Sequence, residues 1–264
     1  MKFKCITTDN FLKKQNCEVV NFEDERFFTW ADVDELHRID SSTSMKDFIH
    51  RYISYVLFSL RYPKFFSSFI LPATRNLIFK QQKPDSIFDV PTVKNCIIKA
   101  SIMKSFKPAI VLEIGTYLGW AAAAFKKAIP KSTIYTLNPK NNSSANNPIK
   151  DKYIGSFYRK KKLKVNQLWG DSMTYDFNLL GTIDTVYIDG NHAYDYVVND
   201  LSKTCEIVKK AIIIDDYRQP NSKEFSPWNE SVWKACNHFL SYNSHYFKEA
   251  FWLYDSQYAV LVKK

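Results

Sequence analysis

The five cysteines of this 264-residue sequence are odd in number, widely spaced and free of any C-x-x-C pair: Cys5, Cys17, Cys96, Cys205 and Cys236. This excludes a disulfide framework and a cysteine zinc site, and points to a reducing compartment. No apolar run reaches the roughly 20 residues that cross a bilayer; the most apolar stretch, Tyr52 to Leu60, lies between Arg51 and Arg61. Met1 to Cys17 carries lysines but no apolar core long enough for a secretory signal. No repeat or low-complexity tract is present. The expectation is a cytoplasmic protein without a spanning helix.

What is present suits a globular chain. At 45% hydrophobic residues, it can bury one large core, or one core plus a small appendage. The formal charge of +10 raises nucleic acid or an anionic membrane as partners. A solvated basic surface explains the charge without either and is the preferred reading.

Residues 1–88 differ in character from the rest. Ser44 and Asp47 mark a helix start, and Met45, Ile49, Ile53, Val56, Leu57 and Leu60 follow at helical spacing. A second piece runs from Pro63 through Phe65, Phe66, Phe69, Ile70 and Leu71 and is broken by Pro72. The region reads as an N-terminal helical extension or cap, packing either on the main domain or on a second subunit, the second of which would give a homo-oligomer through these helices. Resting on a membrane is disfavoured, since their charged faces are not lysine-rich.

Residues 89–264 alternate strands and helices. Asp89 and Pro91 open a helix carrying Val93, Ile97, Ile98 and Ile102. Ala109 to Ile114 is a buried-strand run broken at Gly115, and Gly119 precedes the helix formers Ala121 to Ala124. Strands follow at Thr133 to Leu137, Lys164 to Trp169, Thr185 to Ile188 and Ala211 to Ile214. Val197, Val198, Leu201, Cys205 and Val208 mark one helix, and Val232 to Leu240 another. Ala250 to Tyr254 and Tyr258 to Val262 form a closing hairpin. This order predicts a mostly parallel α/β sheet covered on both faces. Asn141 to Asn147 reads as a surface loop. Lys150 to Lys164, basic with Tyr153, Phe157 and Tyr158 interleaved, suits a phosphate or single-stranded nucleic acid, or is a solvated helix end.

Ligands of open α/β sheets bind beyond the carboxyl ends of the strands. Glu113 and Gly115, Asn138, Asp171, Asp189, and Asp215 with Asp216 all fall on that edge. Each taken alone is an ordinary turn or cap residue. The turn Gly115-Thr116-Tyr117-Leu118-Gly119 has Tyr117 where a dinucleotide fingerprint has its middle glycine, which argues against close approach by a pyrophosphate.

The stretch Glu-Ile-Gly-Thr-Tyr-Leu-Gly-Trp at 113–120 resembles the first motif of class I S-adenosylmethionine-dependent methyltransferases of the catechol and caffeoyl-CoA O-methyltransferase type. Tyr187 to Asp195, with Ile212 to Tyr217, resembles the branch holding metal-dependent macrolide sugar O-methyltransferases. The likeness covers roughly residues 92–217, with the last hairpin matching by pattern the family's antiparallel final strand. It implies a Rossmann-like methyltransferase sheet and a small-molecule hydroxyl as acceptor. Glu113, Gly115, Thr116, Tyr117, Gly119, Asn138, Asp171, Ser172 and Asp189 would bind S-adenosylmethionine, Gly115 and Gly119 framing its methionine part and Asp171 and Ser172 lying near adenine. Asn138 stands where the family has an acid on the ribose hydroxyls, and an amide is the weaker acceptor. Asp189, Asp215 and Asp216 would hold a magnesium ion, and Asp189 or His192 would take the hydroxyl proton. Tyr194 and Tyr217 would line the acceptor pocket.

Three rivals remain in the sequence. A nicotinamide oxidoreductase is disfavoured by the missing glycine and by Asn138. A nucleic-acid methyltransferase lacks the Asn/Asp-Pro-Pro-Tyr and Pro-Cys signatures of base methylation, though RNA ribose methylation stays open. A non-catalytic binding protein of the same fold is left open by Asn138 and by Lys209-Lys210-Ala211, where relatives carry a glycine-rich turn.

Overall fold

A computed structural model describes residues 1–22, 27–29, 31–32, 35–36, 91–140, 149–220 and 227–264. They fall into two compact units, Met1–Phe27 with Thr92–Lys264, and Phe28–Pro91. The helices expected over residues 44–72, the cap at Asp89 and the loop at 141–147 lie outside the described residues. In the smaller unit, Thr29 and Asp32 exchange bonds as in a capping box: the Thr29 amide and hydroxyl donate to Asp32 Oδ2 at 3.0 and 2.8 Å, and the Asp32 amide to Thr29 Oγ1 at 3.3 Å.

The larger unit is built on one eight-stranded sheet. Its strands are β1 (Lys4–Ile6), β2 (Ile110–Ile114), β3 (Thr133–Asn138), β4 (Asn166–Trp169), β5 (Ile183–Ile188), β6 (Val208–Ile214), β7 (Phe247–Leu253) and β8 (Tyr258–Lys263). They lie in the order β1-β7-β8-β6-β5-β2-β3-β4, and only β8 runs antiparallel to its neighbours. The α-helices are α1 (Thr8–Lys14), α2 (Pro91–Ser105), α3 (Trp120–Ala128), α4 (Ser156–Lys160), α5 (Tyr194–Ile207) and α6 (Pro227–Asn243). This is the mostly parallel, Rossmann-like sheet with an antiparallel closing strand that the order of elements predicts.

Strand alternation sorts the side chains onto two faces. Leu112, Ile114, Val186, Ile188, Ile212 and Ile214 share a core with Val197, Leu201 and Cys205 of α5 and Val232, Cys236 and Phe239 of α6. On the opposite face the rings of Phe125 of α3 and Tyr187 of β5 meet edge-on at 5.3 Å. Phe11 of α1 likewise packs on Phe106, just past α2, and on Phe251 of β7. With both faces covered, the parallel strands read as nearly continuous apolar runs.

The division expected after residue 88 moves. Met1–Phe27, which the sequence reading places in the helical cap, belongs with the sheet. Lys4, Cys5 and Ile6 pair in parallel with Phe251, Trp252 and Leu253. The Thr8 amide and hydroxyl both donate to Asp255 Oδ1 at 2.8 Å, and Lys4 and Lys14 reach Glu249 at 3.0 and 2.7 Å. Such a junction joins segments almost a whole chain apart, so no local pattern announces it.

Candidate active site at the carboxyl edge of the sheet

Ile114 is in register with Leu137 and Ile188, Leu137 with Leu168, and Ile188 with Ile214. The residues that follow this row are Gly115, Asn138, Trp169, Asp189 and Asp215. Four of these five are predicted site residues, and they form one line along one edge. The chain leaves β2 towards β3 and β4, then returns on the other side of β2 with β5 and β6, so Gly115 and Asp189 flank the topological switch point.

Gly115 has φ +101°, and a Cβ there would lie 2.0 Å from the Asp189 carbonyl oxygen. Its glycine is needed for contact with the neighbouring strand end. Gly119, at φ +81°, precedes α3, and a Cβ there would meet the Tyr158 ring at 2.5 Å. The aromatics of the 150–164 segment are thus partly spent on this turn. Gly155 and Phe157 donate their amides to the Tyr117 and Leu118 carbonyls at 2.8 and 2.9 Å, and Phe157 stacks on Trp120 at 4.3 Å. Phe157 and Tyr158 are buried, and Arg159 donates to the Ile154 and Lys152 carbonyls. The segment therefore braces the turn, and two of its three aromatic rings, Phe157 and Tyr158, are taken by the core.

Asn138 is also a brace. Its Oδ1 accepts the Thr116 and Tyr117 amides at 3.2 and 3.3 Å, and its Nδ2 donates to the Pro139 carbonyl at 3.1 Å. The amide therefore holds the turn in the place where the resemblance implies an acid on the ribose. Asn138→Ala leaves two backbone amides without that acceptor and is expected to cost about 1–3 kcal/mol. Asn138→Asp keeps the acceptor but loses the Nδ2 donor to the Pro139 carbonyl, so denaturant unfolding should rank wild type first, Asn138→Asp next and Asn138→Ala last.

Beneath the turn runs a buried polar chain. The Thr116 hydroxyl meets Thr136 Oγ1 at 2.7 Å, Gln167 Nε2 donates to Thr116 Oγ1 at 3.1 Å, and the Thr136 hydroxyl donates to Glu113. Burial pushes the Glu113 carboxyl up to about 8, against the pull of the Thr136 hydroxyl and the Ala122 amide. Asp171 and Ser172 are tied to α5: Asp171 Oδ2 accepts the Tyr196 hydroxyl at 3.0 Å, and the Ser172 carbonyl accepts Asn199 and Lys203.

Asp189, His192, Asp215 and Asp216 do come together. His192 Nε2 lies 3.6 Å from Asp189 Oδ1, and Nδ1 lies 3.5 Å from Asp216 Oδ2. Nε2 is buried and, among the described residues, without a hydrogen-bond partner. Burial pulls the imidazole down, but Asp189 and Asp216 outweigh it and push it up to about 9. Two residues to which the sequence assigned no role complete the cluster. Lys99 of α2 places its ammonium 3.3 Å from Asp215 Oδ2 and 3.7 Å from Asp189 Oδ2, and 5.0 Å from the centre of the Tyr187 ring. The Tyr187 hydroxyl donates to Asp215 Oδ2 at 2.5 Å. Burial and the neighbouring acids raise Asp215 to about 7 despite Lys99; Asp189, although buried, is lowered by Lys99 and His192.

A signal for Lys99 was available. The buried positions of α2 include Val93, Cys96, Lys99, Ala100 and Met103, whereas Ile97 and Ile98 are only partly buried. A lysine on a helix's buried stripe needs anionic company.

The residues predicted to hold magnesium are engaged by other side chains in this structure. A divalent ion requires converging carboxylate oxygens that are free to bind it. Asp215 Oδ2 is engaged by Tyr187 and Lys99, and its Oδ1 by the Asp216 amide at 2.9 Å. Asp189 is flanked by Lys99 and His192, and Asp216 faces His192. Among the described residues no group of three or more acidic, histidine or cysteine side chains is arranged to hold a metal ion. Asp189, Asp215 and Asp216 do not fit magnesium here because side-chain cations already lie between them. Tyr217 leaves the predicted acceptor pocket as well: it is fully buried against Phe3 and bonded by Asn237. Tyr194 instead pairs its hydroxyl with His238.

Residues 112–217 match a family model described as a methyltransferase domain. No curated protein matches the chain in sequence. Among solved structures, the chain is similar to the S-adenosylhomocysteine-bound methyltransferase PaMTH1 of Podospora anserina, at 17% identity and TM-score 0.49, over 74% of this chain and 97% of that one. It is similar to an O-methyltransferase from Bacillus cereus in complex with S-adenosylhomocysteine, at 14% identity and TM-score 0.49, over 68% and 84%. The O-methyltransferase TomG of Streptomyces achromogenes, involved in tomaymycin synthesis and solved with S-adenosylmethionine, gives 13%, TM-score 0.47, and 70% and 86%. Among the described residues, no helix is long and apolar enough to cross a membrane.

Proposed function

We propose that this chain, whose residues 112–217 match a methyltransferase domain, uses S-adenosylmethionine to methylate a hydroxyl of a small molecule. The observation that carries this reading is the single line of Gly115, Asn138, Asp189 and Asp215 along the switch-point edge, with His192 beside it. Tyr117 stands where a dinucleotide fingerprint has its middle glycine, which bars close approach by a pyrophosphate and supports S-adenosylmethionine over a dinucleotide. When bound, the cofactor supplies an electrophilic methyl group.

The chain's own residues then have separable tasks. Asn138, Tyr158 and the Thr116–Thr136–Gln167 chain hold the 115–119 turn in its left-handed conformations, so that binding does not have to order it. The Asp189 carboxylate, held beside the His192 cation, receives the hydroxyl proton. Alignment of acceptor oxygen and methyl carbon supplies most of the remaining acceleration. Magnesium has no task in this scheme, because Lys99 and His192 already compensate the three carboxylates.

Thermal shift tests the cofactor directly. A ligand at 100 times its dissociation constant stabilises by about 2.7 kcal/mol. S-adenosylmethionine and S-adenosylhomocysteine are expected to raise the melting temperature and NAD to leave it unchanged. Labelled methyl transfer to a library of hydroxyl compounds then identifies the acceptor. Stabilisation by NAD alone would reject the assignment.

A further inference from the structure

We infer that Lys99 is a built-in cation that takes the place of a divalent ion between Asp189 and Asp215. The inference rests on the methyltransferase reading only for what the pair of acids is used for; the placement of the ammonium stands on geometry. Lys99 is 10% exposed, Asp215 17% and Asp189 30%, so the three charges meet where water screens them poorly. Asp189 follows β5 and Asp215 follows β6, adjacent parallel strands in register, which brings the carboxylates to one point. Left alone they would repel each other, and one would take up a proton.

α2 supplies the compensating charge from the same face of the sheet. Tyr187, two residues before Asp189 and therefore on its side of β5, contributes its ring to the ammonium at 5.0 Å and its hydroxyl to Asp215. Asp215 Oδ2 thus receives both Lys99 and Tyr187, a pairing that leaves it no lone pair directed at a metal. Lys99 acts as a positioning residue: it keeps Asp189 and Asp215 aligned beside His192 without an exchangeable ion.

The test reads metal binding, not turnover. Mn2+ is titrated into the full chain and followed by electron paramagnetic resonance, for the wild type, Lys99→Met and Lys99→Arg. Lys99→Met keeps the side chain's length and removes its charge, exposing the acid pair. The expected result is no saturable Mn2+ binding by the wild type or Lys99→Arg, and one saturable site in Lys99→Met with an affinity gain of about tenfold or more. A merely structural lysine predicts loss of stability in Lys99→Met with no new metal site. Stoichiometric Mn2+ binding by the wild type, or equal and absent binding in all three proteins, overturns the inference. If Lys99→Met does not fold, Lys99→Gln takes its place, and the wild-type titration alone remains able to refute. Because S-adenosylmethionine is not in the titration, its failure to stabilise the wild type would count against the function and leave the Lys99 result standing.

Discussion

Gly115→Ala is expected to cost the fold about 4 kcal/mol or more, among the largest single-residue effects. Two penalties combine there. At φ +101° any side chain is strained, by about 1–3 kcal/mol. The added Cβ also falls 2.0 Å from the Asp189 carbonyl oxygen, which cannot retreat because the Asp189 amide is bonded to the Ile114 carbonyl at 2.8 Å. Gly181→Ala supplies the control: φ is +64° with nothing within 4 Å of the new atom, so only the backbone strain of about 1–3 kcal/mol is expected, without a clash. Denaturant melts of both variants, without cofactor, separate the two accounts of this glycine. A near-native Gly115→Ala that fails only to bind S-adenosylmethionine would mean that the glycine serves the ligand. A strongly destabilised one means that it serves the junction of β2 and β5.

That distinction shows where sequence reasoning stops. The strands were legible because a sheet covered on both faces demands apolar runs, as in Ile212, Ile213 and Ile214. The edge was legible because each run ends in a polar or turn residue, and register then aligns Gly115, Asn138, Asp189 and Asp215. What each residue touches was not legible. Asn138 binds backbone, Gly119 yields to Tyr158, and the predicted magnesium position is crossed by Lys99, a residue of α2. The β1–β7 pairing was missed because a three-residue edge strand has no room for a period. Long-range pairing and buried charge compensation depend on tertiary contacts, which single-segment patterns do not encode.

Glu113 should make the protein less stable as pH rises, in a way that one substitution isolates. Its carboxyl is 1% exposed and titrates at about 8 when folded, against an ordinary 4.5. A carboxyl raised in the folded state contributes stability that is complete below the unfolded value and is lost as pH climbs through the folded one. The loss between these limits is on the order of 4 kcal/mol. Asp215, raised to about 7, and Asp200, raised to about 6 chiefly by burial, slope the same way. The wild-type curve is therefore a sum, and only its difference from Glu113→Gln reports Glu113. Glutamine keeps an acceptor for the Thr136 hydroxyl and cannot ionise. Urea unfolding at pH 5.5, 7 and 8.5 should show the wild type losing about 3 kcal/mol more than Glu113→Gln across that range. Parallel curves would show that Glu113 is ionised throughout. The polar chain beneath the 115–119 turn would then carry a buried negative charge beside Asp189, and Lys99 would have to compensate Glu113 as well.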